Sequence, residues 1–153
     1  MSGVIGGAGS RSGTIGETEI DYEEGIWTGV FSGASNACTM NGSYTTGTYT
    51  KIGNMVIVTG FFVNNSLGSA SGNMYLEGLP FACSAGSYSY AGTGCGWAGD
   101  MAITAGNNVS AAVEISTSRM RLQLWDAVTG SSYLQQDELS ADGQMVINLS
   151  YRV

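Results

Sequence analysis

The chain has no histidine, one proline and one lysine, and these scarcities bound what it can do. Without histidine it lacks the commonest general base near neutral pH and the commonest metal ligand. Lys51 and four scattered arginines face twelve acids, for a net charge of −7. A phosphate-binding face needs clustered Lys and Arg, so nucleic acid is not an expected partner, and anionic membrane surfaces are disfavoured for the same reason. No apolar run approaches the roughly 20 residues of a membrane helix, so membrane insertion is not expected. Residues 1–16 hold neither a basic n-region nor an apolar h-region. Cysteine is scarce and odd in number: Cys38, Cys83 and Cys95, with no C-x-x-C spacing. They read as buried thiols, with a Cys83–Cys95 bridge as the alternative.

Charged residues are only 11% of the chain, so its surface is built from Ser, Thr, Asn and Gly or is hidden in an oligomer. The 153 residues are 43% apolar, enough for one domain with a real core. Residues 1–25 differ from the rest. A stretch rich in Gly and Ser runs into the acidic ETEIDYEEG, and neither part can bury enough apolar surface to order itself. The segment reads as a solvated tail or as an extended arm that docks on a partner. In the second reading Val4, Ile5, Arg11 and Ile15 make the contacts, with Glu17, Glu19, Ile20 and Tyr22.

From residue 26 to 153 the pattern is short strands separated by Gly, Asn and Ser turns, in one domain. Expected strands are Ile26–Phe31, a hairpin of Thr46–Ile52 and Met55–Val63 around Gly53-Asn54, and Asn73–Leu76 ending at the Pro80 corner. Gly96–Thr104 is expected to pair with Val109–Ile115. Arg119–Asp126 alternates, with Met120, Leu122 and Leu124 on one face. Met145–Val153 alternates too, with Met145, Ile147, Leu149 and Tyr151 together. The fold class is therefore all-β: an antiparallel β-sandwich, jelly-roll-like, behind an extended N-terminal arm. Met55–Val63 is apolar on both faces, which marks a strand that is central or lies at a subunit contact. Trp27, Val56, Val58 and Phe62 are the candidates for such a contact.

The words EEGIWTGVF, TGTYTKIGNMVIVTGFFV and GLPF, and the closing MVINLSYRV, occur in an order and spacing that resembles the trimeric β-module of bacteriophage tail-fibre and virion-surface proteins. The resemblance covers most of residues 20–153, except the middle from Cys83 to Asn108. It implies a homotrimer on the virion surface that binds rather than catalyses, and so makes the candidate subunit contact a trimer contact. Gly29 stands where many relatives place proline.

Glu114, Asp126 and Asp100 are the carboxylates available for glycoside hydrolysis, which needs two of them about 5–10 Å apart. Nothing in the sequence brings any two together, and no enzyme activity, cofactor or metal site is expected. In CSAGSYSYAGTGCGWAG, Tyr88, Tyr90 and Trp97 sit among small residues. They read either as sugar-stacking rings or as packing for the core or trimer contact. The resulting expectation is a capsid decoration or cement protein held by its arm and trimer base. The alternative is the tip of a tail fibre that binds a host surface glycan. Residues 1–25, the only chain ahead of the module, favour decoration, because fibre tips end long chains.

Overall fold

The computed structural model describes residues 21–87 and 91–153. It is a sandwich of two antiparallel sheets. The first sheet contains β1 (Tyr22–Thr28), β4 (Thr46–Ile52), β5 (Met55–Ser66), β11 (Gln144–Arg152) and β7 (Trp97–Gly99), in that order, with β3 (Thr39–Met40) also pairing β5. The second runs β10 (Gly130–Tyr133), β9 (Arg119–Ala127), β6 (Tyr75–Glu77) and β2 (Val30–Ser32), with β8 (Asn108–Val113) on the other side of β9. A single helical turn, α1 (Gln136–Leu139), precedes β11.

The two clean alternations behave as expected. Met120, Leu122 and Leu124 of β9 point into the core opposite Met145, Ile147, Leu149 and Tyr151 of β11, and all seven are buried. Period-two patterning fixes the register, because a one-residue slip would turn each set outward. The β4–β5 hairpin closes where Ile52 pairs with Met55. Gly53 has φ +58 and Asn54 does not share the left-handed region. Glycine first and an ordinary residue second is the type II′ arrangement, so the Gly-Asn order is the one this turn needs.

Four expectations are corrected. Ile26–Phe31 is not one strand. The chain leaves the first sheet after Thr28 and enters the second at Val30, crossing at Gly29. A Cβ on Gly29 would lie 2.6 Å from the Phe62 ring and 3.1 Å from Leu76, so with these two side chains in place the crossing is tightest for anything but glycine. Second, β1 begins at Tyr22, so residues 22–25 belong to the sheet: Glu23 and Glu24 pair with Lys51 and Thr50. Third, β7 does not pair with β8. It ends at Asp100, whose φ is +53, and pairs with β11, while β8 pairs with β9.

The fourth correction concerns the strand that is apolar on both sides. Val56, Val58 and Phe62 are 0% exposed within the single chain, and Trp27 is buried with them. They form its core and are not available to a partner. The Trp27 and Phe62 rings lie 4.8 Å apart. The indole Nε1–H is shared between the carbonyl oxygens of Thr48 and Thr59, each at 3.2 Å. Gly47 makes room for it, since a Cβ there would meet the indole nitrogen at 2.6 Å. The apolar residues of β5 on the outward face are Met55, Ile57, Phe61 and Val63, with Thr59 between them.

Candidate interaction surfaces

The outer face of the first sheet is laid out in rows by the strand register. Tyr22, Ile52, Met55 and Arg152 form one row, and Glu24, Thr50, Ile57 and Ser150 the next. Ile26, Thr48, Thr59 and Asn148 form a third, in which the Thr48 and Thr59 hydroxyls are 3.0 Å apart. Beyond it Phe61 and Val146 lead to Trp97. Ile26 is 76% exposed, Trp97 50% and Ile57 42%. Phe61 holds Tyr44 edge-on at 5.3 Å and lies 6.4 Å from Trp97. A solvated sheet face normally carries polar residues at these positions, and the apolar groups on β1, β4, β5 and β7 make this face the candidate interaction surface.

Trp97 therefore sits at the margin of this face. Tyr88 and Tyr90, its expected companions, lie outside the described residues. The part of the glycine-rich run from Gly92 to Gly96, just ahead of Trp97, is bonded to both sheets. Val113 N–H donates to Gly92 O, Gly94 N–H to Ala111 O, and Gly96 N–H to Val146 O. The run thus ties β8 of one sheet to β11 of the other. A cleft of about 230 Å³ lies beside it, lined by Cys95, Trp97, Ile103 and Val109 among others. Of the arm residues, Tyr22 is on β1, opposite Ile52, with its hydroxyl 2.7 Å from Glu24. Val4, Ile5, Arg11, Ile15, Glu17, Glu19 and Ile20 lie outside the described residues.

The outer face of the second sheet is polar and aromatic. The Arg119 guanidinium lies 4.1 Å above the Tyr75 ring centre, donates through Nε to Glu114 at 2.6 Å, and approaches Glu77 at 3.6 Å. Ser32 Oγ donates to the same Glu77 carboxylate at 3.2 Å. Partial burial by itself lowers the Arg119 pKa, but the Glu114 hydrogen bond and the Glu114 and Glu77 charges outweigh it and raise it. Tyr75 meets Tyr133 edge-on at 6.1 Å. Next along β9 is Arg121, between Tyr75 on β6 and Ala112 on β8.

The three candidate acids do not form a catalytic pair. Glu114 is bonded to Arg119, at the start of β9. Asp126 accepts from Ser132 at 2.8 Å. It lies seven residues along the strand from Arg119, roughly 23 Å at strand rise. Asp100 accepts from Gln144, at the margin of the first sheet. Among the described residues no His, Cys, Asp and Glu group clusters as a metal site. All three cysteines are free thiols, and burial raises each of them above its ordinary pKa. Among the described residues no helix is long and apolar enough to cross a membrane.

No family model and no curated protein matches the chain. Among solved structures it is similar to the crystal structure of the Dettilon tailspike protein (gp208), with a TM-score of 0.72 at 16% identity. The likeness covers 86% of this chain but only 24% of that one. What the two share is the fold. The chain thus has the architecture of one segment of a tailspike, spanning about a quarter of that protein's length.

Proposed function

We propose that this chain is a structural module of a bacteriophage virion. It assembles as a homotrimer through the outer face of the first sheet and binds rather than catalyses. The observation that carries this reading is the set of exposed apolar side chains, Ile26, Ile52, Met55, Ile57 and Trp97, set among Thr, Ser and Asn on one sheet face of a fold similar to part of a tailspike. A face of that kind is costly to leave in water, at roughly 25 cal/mol per Å² of apolar surface. Burying it between copies recovers that cost, less what association itself takes.

The tailspike likeness favours a tail location over capsid decoration. In the tail reading the trimer is one rigid segment of a fibre or spike, on the virion surface. Its partners are two copies of itself and a neighbouring tail protein. The capsid-cement placement rests on the arm alone. A host-glycan role for Trp97 is the second reading, supported by its exposure beside Phe61 and Tyr44. Equilibrium sedimentation of the purified chain tests assembly: a trimer is expected at micromolar concentration, and a monomer throughout refutes it. Gold-labelled antibody on intact virions tests location. Label on the tail is expected, and label spread over the head overturns the tail reading.

A further inference from the structure

Arg121 stands out against the other cations. Lys51 is paired with Asp21, and Arg119 with Glu114 and Glu77. The Arg121 side chain has no hydrogen bond or ion pair among the described residues, and its Nε is sealed from solvent without a partner. The rest of Arg121 lines an open cleft of about 230 Å³ with Glu114, Ile115 and Tyr133. That cleft is smaller than the roughly 300–1,000 Å³ typical of drug-sized ligands, and so suits a single sugar ring or a smaller group.

We propose that this cleft binds a singly charged, carboxylate-bearing sugar of the uronic acid type, seated on Arg121 between Tyr133 and Glu114. The planar guanidinium takes a carboxylate two bonds at a time. The Tyr133 ring and the Ile115 side chain offer an apolar wall for the sugar ring. The Glu114 carboxylate, bonded to Arg119 through one oxygen, keeps a second oxygen that can accept a hydrogen bond from a sugar hydroxyl. Arg121 and Tyr133 stand on paired strands, β9 and β10, so the geometry is set before binding. The site is on the sheet opposite the proposed association face and stands or falls separately from the trimer.

Titration of the isotope-labelled full chain with D-glucuronate, followed by nuclear magnetic resonance, tests the site. D-glucose and inorganic phosphate are the comparison ligands. Saturable shifts are expected at the Arg121 Nε–H signal and at the Ile115 and Tyr133 amides. Glucose should bind at least about tenfold more weakly because it carries no carboxylate, and phosphate because it has no sugar ring to lie against Tyr133 and Ile115. R121Q should weaken glucuronate binding by at least about tenfold, while W97A, on the other sheet, should leave it unchanged. The proposal is overturned if glucose or phosphate binds as well as glucuronate, if the shifts map elsewhere, or if R121Q binds normally. If R121Q does not fold, the wild-type map decides alone, since shifts away from Arg121 refute the site.

Discussion

The Tyr151 hydroxyl closes a two-way clasp on Phe81: it donates to the Phe81 carbonyl oxygen at 2.9 Å and accepts from the Phe81 N–H at 3.3 Å. The last strand thereby pins the corner that follows Pro80. Burial pushes the Tyr151 phenol above its ordinary pKa, only partly offset by the hydrogen bond it accepts from the Phe81 N–H. The unfolded chain therefore ionises first, near pH 10. The stabilisation is complete below that pH and is lost as pH rises from there towards the folded-state value. Urea midpoints should fall between about pH 9 and about pH 11. Tyr151→Phe should cost about 1–2 kcal/mol at neutral pH and show a shallower alkaline decline. Parallel declines in the two proteins would show that another group carries the effect.

Gly47→Ala places a Cβ 2.1 Å from the Thr59 carbonyl oxygen and 2.6 Å from the Trp27 indole nitrogen. Neither neighbour is the free end of a flexible chain. The substitution should destabilise the domain by about 2–3 kcal/mol and shift the Trp27 fluorescence as the indole loses its two acceptors. Unchanged stability would show that the hairpin and indole relax together at little cost.

Ile57 and Val58 are neighbours on β5 with opposite roles. Ile57→Glu puts a charge on the outer face and should dissociate the proposed trimer in sedimentation while shifting the isolated chain's stability by less than about 0.5 kcal/mol. Val58→Ala opens a cavity in the core and should lower stability by about 1–3 kcal/mol without changing which face associates. A trimer that survives Ile57→Glu would move the association surface elsewhere.

Glu114→Gln should leave the fold intact and cost about 1 kcal/mol at low salt, because Arg119 then keeps only the weaker Glu77 contact. The loss should shrink in 1 M salt as surface charges are screened. Thermal unfolding at the two salt concentrations distinguishes an electrostatic loss from a packing loss.

The sandwich was legible wherever one strand has one wet face. In β9 and β11 every second residue is apolar, and the structure buries those residues. In β5 both faces are apolar, and the sequence had no means of deciding which went inward. It assigned Val56, Val58 and Phe62 to a partner when they fill the chain's own core. The pairing of β7 was misread because proximity in sequence favoured β8, whereas Asp100 ends the strand and β11 takes it. The Arg121 cleft was invisible for a different reason. Its residues come from three stretches of chain, and only the β9 register brings Tyr75 beside Arg121. A period-two reading places Arg121 outside but says nothing of what stands next to it.

Gly29 joins Trp27, under one sheet, to Phe31, under the other, across a single crossing residue wedged against Phe62 and Leu76. Neither layer can slide or lift from the other without dragging an aromatic anchor out of the middle of the molecule. A load applied to one face is therefore passed to the opposite face through covalent bonds as well as through packing.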